Sequence, residues 1–466
     1  MPDRPAITTA EQLAAFLKRY GKTGGILSVS GRLTWAELVE EAACRASSRR
    51  ESCQGELIGM FGIPTLNTIR EIFTAWASGS VPVLLNNHMP IETAVEQCRR
   101  IGCRFFVGDT QSADLEVIAP KARVQPLLHS RSDWASILFT SGSTGEPKAC
   151  VNSFSNHFYS ALGANENMPL EPADRWLLSL PLFHVGGLGV LFRTMLAGAS
   201  VVIPPEPSLS ASLDFAEPTH LSLVHTQLYR LMQDSATVDF LRRYRGILLG
   251  GSAFPDALIR QAVDEGIIIH TSYGSTEMSS QITATPRGAS LAELLTCGRL
   301  LPYRSLHFTQ DGEILVSGKT LFLGYWDGET LTRPENEGFF STGDLGRLDE
   351  NGNLLIYGRR DNLFKAGGEN ISPEEIERLL LRIEDVAEAI VVPIPDPEYG
   401  ALPVAFIRTF SGKPANRLDL TSLRRTLPGL KIPRRVWDLP ADQGRLKPSR
   451  SELSRLAEKL LLQEKA

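Results

Sequence analysis

Ser136-Ile137-Leu138-Phe139 runs directly into Thr140-Ser141-Gly142-Ser143-Thr144-Gly145-Glu146-Pro147-Lys148. A short apolar run ending in a loop of glycines and hydroxyls reads as a buried strand that delivers a ligand-binding turn. The residue types suit a polyphosphate: glycines let main-chain N–H groups approach, hydroxyls donate, and the lysine adds charge. The string is not Gly-x-x-x-x-Gly-Lys-Ser/Thr, because Lys148 stands three residues past Gly145 and after a proline. A flexible surface turn is the plain alternative for the string taken alone.

Outward from this stretch the pattern recurs. Trp176-Leu177-Leu178-Ser179-Leu180 leads to Pro181 and His184, Ile247-Leu248-Leu249 to Gly250-Gly251, and Ile267-Ile268-Ile269-His270 to Tyr273-Gly274. Segments with helical spacing, such as Leu228 to Met232 and Leu258 to Val263, lie between them. Short apolar strands alternating with helices predict an α/β fold, with a large multi-layer N-terminal domain built on mostly parallel, buried sheets. Ligand sites in such sheets gather beyond the carboxyl ends of the strands, where the Gly, Ser and Thr loops stand here. The sequence contains no internal repeat or low-complexity tract.

The composition shifts near residue 358. Gly358-Arg359-Arg360-Asp361 follows the strand-like Leu354-Leu355-Ile356-Tyr357. A helix then begins at Ser372-Pro373-Glu374-Glu375, where Ser372 can cap, Pro373 fits the first turn and Glu375 completes a capping box. Ile376, Leu379, Leu380 and Ile383 form one apolar stripe. Strand-like runs follow at Ala389 to Val392 and Val404 to Arg408, and the tail from about 450 reads as an amphipathic helix. The expected division is a large domain over 1–358 and a small α+β domain over 359–466.

With 48 Lys plus Arg against 53 Asp plus Glu, the net charge of −5 gives no support for a nucleic-acid-binding protein. The cysteines, at 44, 53, 98, 103, 150 and 297, have no Cys-x-x-Cys spacing and are read as free thiols in a reducing compartment. Met1-Pro2-Asp3-Arg4-Pro5 does not lead into an apolar signal core, and no apolar run approaches the ~18 residues of a spanning helix. A cytoplasmic protein without integral membrane association is expected. Oligomeric state, from monomer to dimer or tetramer, stays open at this stage.

Further motifs carry chemistry. In Tyr273-Gly274-Ser275-Thr276-Glu277, read as a strand-end loop, the tyrosine can stack on a purine, Thr276 can bond phosphate and Glu277 can hold Mg²⁺. In Ser341-Thr342-Gly343-Asp344-Leu345 the carboxylate after a tight turn can accept two ribose hydroxyls, although an Asx-type turn reads equally well. His184 reads as the end of a strand, against the alternative of a core-edge histidine bonded to backbone. Arg193 is one charge in an otherwise apolar or small stretch from Val185 to Ile203. A guanidinium in an apolar helix is costly unless an anion meets it, whereas a solvent-facing arginine is the ordinary case.

Taken together and in order, TSGSTGEPK, LPLFHVGG, YGSTE, GEILVSGKTLFLGYW, STGDL and GRRDNLFKAGGENISPEEIE resemble the acyl-adenylate-forming superfamily of acyl-CoA synthetases, adenylation domains and beetle luciferases. The likeness extends from about 134 to the C-terminus. It implies ATP, Mg²⁺ and coenzyme A as cosubstrates and cofactor, a small-molecule carboxylic acid as partner, and a C-terminal domain that moves. By resemblance Thr140, Ser141, Gly142, Ser143, Thr144, Gly145 and Lys148 hold the β- and γ-phosphates. Gly250, Gly251 and Ser252 match the adenine-contacting segment, Tyr273 and Gly274 the stacking motif, Thr276 the α-phosphate contact and Glu277 the Mg²⁺ ligand.

The same resemblance gives Asp344 the ribose hydroxyls, with Arg359 beside it, and places the hinge at Asp361. Lys365, Gly367 and Gly368 fall in the loop of the thiol half-reaction, and His184 lines the acyl pocket or its thiol-side entrance. The adenylating lysine is assigned to Lys447, three residues before Arg450; Leu446 replaces the family's glycine, and Arg445 is the rival. WLLSLPLFHVGG, FRTMLAGA, LSLVHTQLYRLM and ILLGGSAFP narrow the likeness to CoA ligases of an aromatic dicarboxylate, with Arg193 at the position that meets the second carboxylate. Alternatives are a CoA ligase for another acid, an enzyme loading a carrier protein, or a non-catalytic nucleotide-binding protein on this fold. The presence of Lys447, Glu277 and Asp344 speaks against the last.

Overall fold

The computed structural model describes residues 6–108, 115–118, 131–140, 146–440 and 450–465. The chain divides into two compact units: 1–252 with 265–307 and 315–341, and 253–264 with 308–314 and 342–466. The strand Leu354–Arg359, and the part from Thr342 onward of the strand Phe339–Leu348, therefore belong to the second unit, together with two short pieces from mid-chain; STGDL lies within that strand and is not the tight turn expected.

Two large sheets form the first unit. One runs in the order Leu331–Thr332, Gly324–Trp326, Lys148–Ser153, Trp134–Thr140, Val81–Leu85, Leu57–Phe61, Phe105–Val107, Leu115–Val117. Its four strands from Trp134–Thr140 to Phe105–Val107 are parallel, and the outer pairings are antiparallel. Val81–Leu85 (VPVLL) is buried along its whole length, as an apolar strand covered on both faces must be.

The other sheet runs Arg299–Leu300, Ser280–Ala284, Ile269–Ser275, Gly246–Leu249, His220–Leu223, Arg175–Leu177, Ser200–Val202, Gly25–Ser28, Gly31–Thr34, parallel from Ile269–Ser275 to Gly25–Ser28. Ile58, Met60 and Leu84 of one sheet share an apolar cluster with Ile26, Trp176 and Val201 of the other. Side chains of the helices Leu66–Ala77, Phe154–Asn167 and Val185–Ala197 complete the cluster. Each fully buried aliphatic or aromatic side chain there contributes about 1.5–3 kcal/mol.

The helices start and stop on local chemistry. Ser153 caps Phe154–Asn167 and Asn156 reciprocates, while Val185–Ala197 ends at Gly198, whose φ of 69° suits glycine. Two sequence expectations need correction in this unit. The run Trp176 to Leu180 is a strand only to Leu177; Pro181 has no N–H for a ladder. The chain turns, with Ser179 Oγ donating to Ser222 O and Leu182 N to Gly62 O at 2.8 Å. His184 therefore does not end a strand but immediately precedes the Val185–Ala197 helix. Nor is Tyr273-Gly274-Ser275 a loop: the strand continues through Ser275, because 272–275 leave the parallel neighbour and pair antiparallel with Ser280–Ala284.

In the second unit the expected strands are one long hairpin, Val386–Asp396 and Gly400–Thr409, with Val436–Asp438 parallel beside it. The helices Pro373–Leu380 and Arg450–Lys465 pack there through Ile376, Leu380, Leu453 and Ala457. Ser372 does cap the first of them, accepting from Glu375 N at 3.4 Å. The reciprocal half of the expected capping box is not made. The Glu375 carboxylate accepts from Lys431 Nζ at 2.6 Å instead, and a charged partner outcompetes a main-chain N–H.

Candidate active site

Trp134–Thr140 and Lys148–Ser153 form a hairpin whose register sets Thr140 opposite Lys148. Ser141, Gly142, Ser143, Thr144 and Gly145 lie outside the described residues, as do Arg445 and Lys447. The next strand, Gly324–Trp326, pairs Tyr325 with Cys150, and the Tyr325 ring lies under Lys148 Nζ, 5.2 Å from its centroid. Tyr325 Oη donates to Glu277 Oε1 at 2.7 Å. Lysine, tyrosine and carboxylate thus converge from three separate pieces of sequence.

Thr276 and Glu277 sit in a tight turn between Ile269–Ser275 and Ser280–Ala284. Ser279 and Ser280 have φ of 55° and 115°, a conformation costing of order 1–3 kcal/mol per residue. The turn is held from several sides. Buried Asn152 donates through Nδ2 to Thr276 O at 3.0 Å and Ser279 Oγ at 2.9 Å. Ser160 Oγ donates to Ser279 O at 2.7 Å, Ser279 Oγ to Thr320 O at 3.1 Å, and Phe322 N to Glu277 O at 2.7 Å.

Gly274 is required for a different reason. A Cβ there would meet the main-chain carbonyl of Ser280 and lie 2.9 Å from Gln281 Cα. Beside it Leu249 pairs with Thr271, so Gly250-Gly251-Ser252 and Tyr273 leave neighbouring parallel strands at the same end. Gly251 has φ 82°, and Ser272 Oγ donates to Leu249 O at 2.9 Å.

No cluster of three or more His, Cys, Asp or Glu is present among the described residues. One half-buried carboxylate, Glu277, suits Mg²⁺, which is held by one or two carboxylates plus substrate phosphates rather than by a protein cage.

His184 is exposed at the helix start; the protein around it and then His88 hold its imidazole below the usual range. Arg193 lies nine residues, about two and a half turns, further on, within the Val185–Ala197 helix, and is only 4% exposed. Nε donates to Asn165 Oδ1 at 3.0 Å, Nη2 to Met168 O at 3.2 Å and Ala164 O at 3.4 Å, and Nη1 to Gln281 Oε1 at 3.4 Å. Its guanidinium stands 4.4 Å from the centroid of Trp176. Asn165, Ala164 and Met168 are neutral partners at the carbonyl end of the Phe154–Asn167 helix, Gln281 is a neutral amide on the strand Ser280–Ala284, and no carboxylate pairs with Arg193 among the described residues. Burial, and then Arg304, pull its pKa down to about 9.

In the second unit Gly343, with φ 73°, lies inside the strand Phe339–Leu348 that carries STGDL. Asp344 stands opposite Arg359 across the ladder, with Nη1 to Oδ1 at 3.1 Å. Thr342 Oγ1 receives Asp344 N at 3.0 Å, and Glu313 Oε1 receives Gly343 N at 3.1 Å. Asp361 lies exposed in the short 3₁₀ turn Arg360–Asn362. Lys365 is exposed on Phe364–Ala366, which returns as Glu369–Ile371 through Gly367 and Gly368. Both glycines have positive φ, 58° and 90°, as a two-residue hairpin turn demands.

Sequence reasoning passed over Tyr325, Asn152 and Ser160. A signal existed for Asn152: a lone amide in the strand ACVNS is costly to bury without a partner. Tyr325 stood inside the quoted GEILVSGKTLFLGYW string without being singled out, and Ser160 carried no signal; their partners lie 48 and 119 residues away.

A two-sheet α/β unit with a smaller α+β unit is the architecture of a nucleotide-dependent enzyme, the class that the family match gives. The AMP-binding enzyme family matches residues 13–326 and the AMP-binding enzyme C-terminal domain matches 375–442; the chain belongs to this family. It is 31% identical to 2-succinylbenzoate–CoA ligase of Bacillus cereus, over 98% of this chain and 97% of the relative. A variant of E. coli MenE with bound OSB-AMS is 29% identical, with TM-score 0.80 over 97% of this chain and 99% of the other. The O-succinylbenzoate coenzyme A synthetase (MenE) from Bacillus subtilis, in complex with ATP and magnesium ion, is 27% identical, with TM-score 0.78 over 94% and 97%. No described helix is long and apolar enough to cross a membrane.

Proposed function

We propose that the protein is a 2-succinylbenzoate–CoA ligase, converting 2-succinylbenzoate, ATP and CoA to 2-succinylbenzoyl-CoA, AMP and diphosphate in menaquinone biosynthesis. The observation that carries the adenylating chemistry is the meeting of Lys148 and Glu277 on Tyr325. A cation and a metal-binding carboxylate held by one aromatic side chain suit opposite ends of a triphosphate. Arg193, buried without a carboxylate, favours an acid with a second anionic group.

Glu277, with the substrate phosphates, would hold Mg²⁺, which would supply charge neutralisation. Lys148 and Thr140 orient the β- and γ-phosphates, Thr276 meets the α-phosphate, and Gly250, Gly251, Ser252 and Tyr273 hold adenine. Asp344, with Arg359, takes the ribose hydroxyls. The succinyl carboxylate attacks the α-phosphorus and diphosphate leaves; Lys447 stabilises the charge that develops there. The CoA thiol then attacks the acyl carbon and AMP leaves. Rotation at Asp361 exchanges Lys447 for the Lys365–Gly368 turn between these steps. His184 lines the acyl pocket toward the thiol side, and Arg193 faces the ring carboxylate. We place the enzyme in the cytoplasm, where ATP and CoA are available.

The test is diphosphate release over a panel of acids, with and without CoA. Release that is fastest with 2-succinylbenzoate and yields a CoA thioester supports the reading. Equal or faster turnover of a monocarboxylate, or transfer only to a carrier protein, overturns it.

A further inference from the structure

His157 lies on the Phe154–Asn167 helix, one turn from Ser160, and is 1% exposed. Its ring is fixed on two sides: Nε2 bonds Ser136 Oγ at 2.9 Å, and the plane stacks on Phe192 with centroids 4.5 Å apart and 15° between planes. The other nitrogen, Nδ1, is buried and meets no partner among the described residues. Buried ring nitrogens are seldom left so, because each costs the desolvation of a polar group. An imidazole locked in place with one unused nitrogen is poised for something the protein itself does not supply.

The surroundings say what that is. His157 and Arg193 line the same small cavity, together with Ser160, Gly189, Ser280 and Gln281; its volume is about 10 Å³, room for one oxygen-sized group. Arg193 brings a guanidinium with neutral partners only, and a second buried guanidinium, Arg304, donates to Ser160 O and Oγ at 3.1 and 3.2 Å. Gly189 leaves the helix side of the cavity open, a Cβ there coming no closer than 3.5 Å to Ser280 Oγ. A buried guanidinium and an unused ring nitrogen on an oxygen-sized space call for an anionic oxygen. In the tautomer in which Ser136 Oγ donates to Nε2, Nδ1 carries the proton and is free to donate.

We propose that His157, through Nδ1–H, is a further substrate-recognition residue that receives one oxygen of the carboxylate that is not adenylated, beside Arg193. This rests on the reading of the acid as a dicarboxylate. It adds a neutral donor on a second helix to the arginine, so the anion is gripped from two elements. Its position is then fixed in two directions instead of one.

The experiment compares His157→Phe, which keeps a ring against Phe192 but has no nitrogen, with His157→Gln, which keeps a donor. Each is measured with 2-succinylbenzoate and with the analogue lacking the ring carboxylate, by kcat/KM at saturating ATP and CoA, alongside the KM for ATP and the melting temperature. Loss of a hydrogen bond to a charged group predicts a fall of roughly 10–100-fold for the diacid with His157→Phe. The monoacid should change less than about 3-fold, ATP KM should hold, and His157→Gln should recover part of the loss. Equal losses on both acids, or no loss on either, overturn the proposal. If Arg193→Ala separates the two acids while His157→Phe does not, the role of His157 alone falls. If the native enzyme does not prefer the diacid, the reading beneath it falls as well.

Discussion

Gly274→Ala tests whether the strained turn that carries Thr276 and Glu277 is what positions the reaction. A Cβ at 274 would lie 2.7 Å from the carbonyl carbon of Ser280 and 2.9 Å from Gln281 Cα, closer still to the Ser280 oxygen, where real Cβ contacts under 3.0 Å are essentially unknown. All three atoms are main chain, so no rotamer change relieves the overlap. The strands Ile269–Ser275 and Ser280–Ala284 must part by an amount on the order of 1 Å, which costs about 1–3 kcal/mol of stability. Thr276 and Glu277 lie two and three residues along, and they move with it. A 1 Å misplacement of positioned groups costs roughly 100-fold in rate. Acid-dependent ATP–diphosphate exchange should therefore fall about 100-fold in a variant that remains folded by circular dichroism. Gly429→Ala, where a Cβ meets open space, should behave as the native enzyme. Exchange within about 3-fold of native in Gly274→Ala would refute the positioning argument.

Arg193→Ala should lower kcat/KM for 2-succinylbenzoate by two to four decades, the equivalent of about 3–5 kcal/mol for an orphaned buried charge, and Arg193→Lys should rescue only partly; an equal loss on the analogue without the ring carboxylate would mark Arg193 as a cap for the Phe154–Asn167 helix. Lys447→Ala should nearly abolish adenylation yet still convert supplied acyl-adenylate plus CoA to thioester; the same split in Arg445→Ala instead would move the assignment. Asp361→Pro should impair thioester formation more than adenylation in single-turnover assays, because proline fixes φ near −65°, and equal losses would remove the hinge.

What could be read from sequence was what local chemistry decides. Ser372-Pro373 announced a helix start because capping and proline geometry need only neighbouring residues. The strand that ends at Thr140 was legible as a short apolar run, whereas its antiparallel partner Lys148–Ser153 was not read. Glu375 was misread because Lys431, 56 residues on, outbids the local N–H. Leu182 and Phe183 were misread as strand because burial alone makes a segment apolar, whatever its conformation. Tyr273 to Ser275 were misread as loop because pairing with Ser280–Ala284 is a tertiary choice. Arg193 stood out as one charge in an apolar helix, but its helix-end carbonyls and its Trp176 face did not.

The central claim is an acyl-adenylate on the way to a thioester. Both oxygens of the succinyl carboxyl of 2-succinylbenzoate are labelled with ¹⁸O, and the acid is incubated with ATP, Mg²⁺ and CoA. Mass spectrometry of the products should find one label in AMP, one in the thioester carbonyl and none in diphosphate, because the attacking oxygen stays on phosphorus when the thiol displaces AMP. Unlabelled AMP, or ADP with labelled phosphate, would contradict the account.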